Sequence, residues 1–182
     1  FDNLPQHVFP VAIFCVSVAL VWHITLISDY IVVLDVIGEY YVANLTISEN
    51  LWDISQTGSY YSVLSVTILP ALFCNICGTE LTYYFKFLYP LLYATTAIGV
   101  YELSKYILQD TKLSFVSAFL FIVTTPFFRE VSLISKQGIA EIFLICIVLA
   151  FVKADRFRKA WRSVIVIFLG AALICSHYGI AY

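Results

Sequence analysis

Residues 8–28 read VFPVAIFCVSVALVWHITLIS, twenty-one positions without an acidic, lysine or arginine side chain. As a helix this run is roughly 31 Å long, enough to cross a hydrocarbon core of about 30 Å. It offers no polar face that could be turned to water, as a surface helix of a soluble domain must. The run therefore reads as a membrane span, and the rest of the chain is read from it.

Four more runs follow. Residues 85–103 form the next, with Lys86 at its start in a position to snorkel to the surface. Residues 113–128 and 138–152 are shorter, roughly 22–24 Å as helices, which draws flanking polar groups toward the hydrocarbon. Residues 163–181 complete the set. Residues 61–77 are apolar but interrupted by Pro70 and diluted by Ser62, Ser65, Thr67 and Asn75. They read either as a sixth span or as a helix lying in the interface. Tyr40, Tyr41, Trp52, Tyr60, Tyr61, Tyr83, Tyr84, Trp161 and Tyr182 fall near the proposed ends, where aromatic anchors belong.

Composition agrees. Of 182 residues, 62% are hydrophobic and 12% charged, against about a quarter charged in a soluble domain. A net charge of −2 supplies no concentrated basic face for a nucleic acid. The first apolar run lacks the basic start and small-residue cleavage site of a signal peptide, so it is expected to be retained. The expectation is an all-α polytopic bundle of about five spans in the plasma membrane. Residues 1–182 are expected to form one transmembrane domain, the N-terminal fragment of a longer protein, and residues 29–82 an extracytoplasmic loop with interfacial helices.

The basic residues orient it. Lys153, Arg156, Arg158, Lys159 and Arg162 crowd residues 153–162, which should face the cytoplasm. Residues 29–59 hold Asp29, Asp35, Glu39, Glu49 and Asp53 with no Lys or Arg, and should face out. An odd number of crossings must separate the two, which holds if residues 61–77 do not span. Either count leaves Lys and Arg split seven to three. The five-span reading is preferred because a long cytoplasmic loop without a basic residue is unusual. It brings the acidic loop, Arg129, Lys136, Gln137, Glu141, His177 and Tyr178 to one side.

Among these, Asp35 and Glu39 stand one helical turn apart, where like charges repel by a few tenths of a kcal/mol. A cation, or a hydroxyl whose proton is taken, would relieve that repulsion. A solvated acidic loop is the plainer alternative. Gln137 and Glu141 share a helical face at the start of an apolar run. An ionisable group in such a run marks a functional site, or is paired with Lys136 or Arg129 simply to neutralise charge. Lys136 and Arg129 are also suited to a lipid-linked phosphate. Ser176-His177-Tyr178-Gly179 ends the last run, and a lone histidine there is more often an interfacial hydrogen-bonding residue than a base. His23 reads as a packed residue. The single Cys74-Asn75-Ile76-Cys77 motif has no partner pair for zinc. Asn44-Leu45-Thr46 is a formal glycosylation sequon close to the acidic pair.

The succession Asp35…Glu39-Tyr40-Tyr41, Trp52…Ser55, Tyr61-Ser62-Val63-Leu64-Ser65…Leu69-Pro70, Lys86…Tyr89-Pro90-Leu91, Lys136-Gln137-Gly138-Ile139-Ala140-Glu141 and Ser176-His177-Tyr178-Gly179 resembles a family of archaeal multispanning membrane proteins of uncharacterised activity. That family is similar in turn to the glycosyltransferase C superfamily, which uses polyprenyl-phosphate-linked sugars. The resemblance implies a membrane glycosyltransferase with Asp35 as base on the acceptor and Glu39 as its partner or a metal ligand. Lys136 and Arg129 would bind the donor phosphate, with Gln137, Glu141, His177 and Tyr178 as further site residues. A divalent cation is the one cofactor implied, on Asp35 and Glu39 if anywhere. Two departures bear on activity: the family pattern often has His where Ile37 stands and Arg where Lys136 stands. Membrane lipid and the donor are the expected partners, and no nucleic acid. A transporter coupled through Glu141 and His177 and a non-catalytic membrane scaffold are the competing readings.

Overall fold

The computed structural model describes residues 5–32, 34–53, 55–56, 58–130, 133–156 and 158–181. Tyr182 and the side chains of Arg156 and Tyr178 lie outside what is described. The described chain is helical, without a strand: α1 Val8–Thr25, α2 Leu34–Glu49, α3 Leu64–Cys77, α4 Leu81–Leu108, α5 Thr111–Ile122, α6 Ser135–Val152, α7 Lys159–Ser176 and the short α8 Tyr178–Ala181. Helices occupy all five expected runs. Three of them, α1, α6 and α7, are long and apolar enough to cross a membrane, and a fourth crossing follows only if α3 and α4 count as one broken span. The count falls short of five for two reasons. Tyr89, Pro90, Tyr93, Thr95, Thr96 and Tyr101 dilute the apolar run of α4, and the 12 residues of α5 reach only about 18 Å.

Local chemistry explains the path. Gly78 ends α3 in the left-handed region at φ 64°, a conformation glycine adopts without penalty, and its N–H closes on the Cys74 carbonyl at 2.8 Å. The chain then turns 119° into α4. Fourteen residues make α3 about 21 Å long, short of a bilayer core. At the start of α4, Tyr84–Leu88 widens into a π turn just ahead of Pro90. Proline has no N–H for the carbonyl four residues back, that of Lys86. The neighbouring helix answers: Thr25 Oγ1 donates to the Lys86 carbonyl at 3.1 Å and Trp22 Nε1 to that of Phe87 at 3.3 Å.

These bonds fix the topology. The Lys86 ammonium donates to the Ser28 carbonyl just beyond α1, so α1 ends where α4 begins. Residues 29–82 therefore leave and rejoin one end of the bundle. Lys86 does not snorkel. It is 7% exposed, because the carbonyls at the end of α1 offer its charge a better partner than the surface. Tyr84, expected as an interfacial anchor, is buried against Phe73 and Phe85.

The core is a stripe at every fourth residue of α4: Tyr89, Tyr93, Ala97 and Tyr101, all buried. Side chains four apart share a helix face, so this face is aromatic. Two glycines let helices close on it. A Cβ on Gly99 would lie 2.6 Å from Ile145, and one on Gly138 would collide with the Tyr89 hydroxyl. At the far end Lys153, just past the end of α6, bridges to Glu102 of α4 at 2.6 Å. Along α7, Ile167 and Phe168 are each 72% exposed, an apolar face that water would not tolerate and lipid would.

Candidate functional site

The cluster begins with the first two turns of α2. Asp35 and Glu39 project from one face toward the start of α6, which presents Ser135 and Lys136. The first N–H groups of a helix lack intrahelical partners and carry partial positive charge. Glu39 supplies what is missing: Oε2 accepts from the Ser135 N–H at 2.9 Å and Oε1 from the Lys136 N–H at 3.4 Å. A carboxylate 96 positions earlier in the chain thus caps α6. No local side chain does so, since Ile134 occupies the cap position.

Lys136 joins the two acids. Its Nζ lies 3.8 Å from Glu39 Oε1 and 3.9 Å from Asp35 Oδ1. The third side of the ammonium is covered by the Tyr60 ring, 4.2 Å from its centroid. The Tyr60 hydroxyl donates to Asp35 Oδ1 at 2.6 Å, a short charge-assisted bond. The ring can lie on α2 because position 38 is glycine: a Cβ there would sit 2.8 Å from a ring carbon. Tyr60 and Gly38 are the site residues that sequence reasoning missed. A glycine inside a helix was the available signal, since it marks a close approach.

The two acids differ in environment. Asp35 is 44% exposed, Lys136 is 16% exposed, and Glu39 is fully buried. Burial pushes Glu39 from 4.5 up to about 7, against the opposing pull of Lys136 and of the donors on Ser135 and Lys136. Tyr60 is pushed up to about 12, first by its bond to Asp35 and then by burial and the nearby carboxylates. His177, at the end of α7, is shifted down by burial and then by the charge of Lys136. Its Nδ1 accepts from the Ile180 N–H at 3.2 Å, which closes the turn into α8.

Of the remaining expected site residues, the Tyr178 side chain lies outside the described residues, and Gln137 and Glu141 contact each other. Glu141 takes neutral donors, with Gln137 Nε2 at 3.2 Å and the Tyr93 hydroxyl at 3.4 Å. Arg129 is exposed on the π turn Pro126–Glu130. The acidic pair does not suit a divalent cation: the Lys136 ammonium lies against both carboxylates and backbone N–H groups occupy Glu39. Among the described residues no group of three or more His, Cys, Asp or Glu is placed to hold a metal ion. Asn44 is exposed on α2, while the Thr46 hydroxyl turns back to the Val42 carbonyl at 3.0 Å.

Compared with known families, curated proteins and solved structures, the chain matches none. What can be said of function comes from the residues themselves.

Proposed function

We propose that this chain crosses the membrane five times, with its Asp35 end outside, and that the Asp35–Lys136 cluster transfers a sugar from a polyprenyl-phosphate donor. The observation that carries the reading is an accessible carboxylate and a largely buried ammonium within 3.9 Å, beside a membrane-sized helix. The orientation is supported by the charges: seven of ten Lys and Arg fall at or beyond the opposite end.

Each residue then has a part. Asp35 takes the proton of the acceptor hydroxyl as its oxygen bonds to the anomeric carbon. The bond from that carbon to the phosphate oxygen breaks, and the polyprenyl phosphate leaves with the electron pair. Lys136 holds the donor phosphate by its charge, before as well as during the transfer. Glu39 acts as a positioning residue, holding the start of α6 and hence Lys136 in place. Tyr60 caps the pair and must swing aside for a substrate to reach either group.

The test is sugar transfer in membranes supplied with polyprenyl-phosphate-linked sugars. Asp35→Asn should abolish transfer while the protein inserts and melts as the wild type does, because the amide keeps the shape but accepts no proton. Lys136→Ala should chiefly weaken donor binding. Full transfer by Asp35→Asn would end the enzyme reading and leave a transporter or a scaffold.

A further inference from the structure

At the end of the bundle away from Asp35, the last two turns of α4, the first residue of α5, the C-terminus of α6 and Gln6 ahead of α1 line an open cleft of about 580 Å³. That is ample for a small polar ligand. Its walls include Glu102, Lys105, Tyr106, Gln109 and Lys153, a polar lining between otherwise apolar helices. Lipid tails do not fill such a space. Two ammonium groups face one carboxylate, so the cleft is net positive. Lys153 is bonded to Glu102 at 2.6 Å. Lys105 faces no carboxylate at ion-pair distance among the described residues, and its Nζ rests 5.9 Å from the Tyr101 ring centroid. Gln6, Gln109 and Tyr106 add neutral donors of the kind phosphoryl oxygens accept.

The cleft lies where α1 and α6 reach the end that also bears Lys112, Arg158, Lys159 and Arg162. If those helices cross a bilayer, this level is the headgroup band, where each basic residue attracts anionic lipid. We infer that the cleft binds the phosphodiester headgroup of an anionic glycerophospholipid, with Lys105 as its main cation. The inference rests on the membrane embedding and is independent of the transferase chemistry, so failure of one leaves the other standing.

Retention of lipid by the purified full chain, read by native mass spectrometry after reconstitution in mixed vesicles of phosphatidylglycerol and phosphatidylcholine, tests it. Phosphatidylglycerol should be retained preferentially, and Lys105→Ala should weaken it about fivefold. Glu102→Gln should strengthen it, because Lys153 is released to the phosphate. A purely structural Glu102–Lys153 bridge predicts no such gain. Glycerol phosphate in solution should compete only weakly, lacking the acyl anchor. Equal retention of both lipids, no change in a Lys105→Ala protein that melts normally, or displacement by glycerol phosphate at equal concentration would overturn the inference.

Discussion

Replacing Glu39 by Gln tests the physical account of the cluster without requiring any activity. The folded carboxyl titrates at about 7 instead of 4.5, because burial outweighs Lys136 and two N–H donors. An acid whose value is raised on folding stabilises the fold below its unfolded value and loses that contribution as pH rises through the folded one. The loss therefore runs from about pH 4.5 to just above 7 and amounts to about 3 kcal/mol. For a chain of this size that is roughly 6–12 °C in melting temperature. His177 works against this trend, since its value is lowered on folding and its contribution grows as pH rises through the ordinary histidine range. The measurement is consequently a difference: thermal melts of wild type and Glu39→Gln in one detergent from pH 4 to 9. The amide has nearly the shape of the neutral acid but no charge to bury. The variant should match or fall slightly below the wild type at pH 4 and overtake it by pH 8. A Glu39→Gln protein that matches wild type at pH 4 but falls below it at pH 8 would show that the ionised carboxylate is favoured, and the burial argument would fail.

Three other outcomes follow from the geometry. Gly99→Leu should cost at least 1–3 kcal/mol in melting experiments, since even a Cβ would stand 2.6 Å from Ile145; no loss would mean that α4 and α6 are not in contact there. Gly38→Ala should push the Tyr60 ring off α2 and bring the Tyr60 hydroxyl down from about 12 toward ordinary tyrosine, read by ultraviolet titration against a Tyr60→Phe reference; an unchanged titration would refute the packing. In a background without native cysteines, single cysteines at Ser48 and Ala160 should label from opposite sides of intact cells with an impermeant maleimide, Ser48 from outside; the reverse pattern would invert the topology.

Much of this was legible in the sequence because hydropathy needs no knowledge of partners. A run without charges must be buried or in lipid, so helices fall on every run that was read. Parity and charge also brought Asp35, Glu39 and Lys136 to one end, and the contacts between α2 and α6 bear that grouping out. What escaped was pairing. Lys86 reads as a snorkelling residue because its partner, the Ser28 carbonyl, is a backbone group that no side-chain pattern announces. Tyr60 reads as an interfacial anchor because its two functions, a bond to Asp35 and a face for Lys136, depend on how a loop folds back across Gly38.

The same reasoning explains why Glu39 and Asp35 divide their labour although their spacing makes them look equivalent. One turn of helix separates them, but α6 begins against the second and not the first. The N–H groups of Ser135 and Lys136 must be satisfied, and no local cap is present to do it. Glu39 is drawn under the helix end, where burial raises its proton affinity and hides it from solvent. Asp35, one turn earlier, keeps 44% of its surface exposed beside the Tyr60 hydroxyl and the Lys136 ammonium. A pair of acids on one face thus becomes a buried brace and an accessible carboxylate because of where a third helix starts.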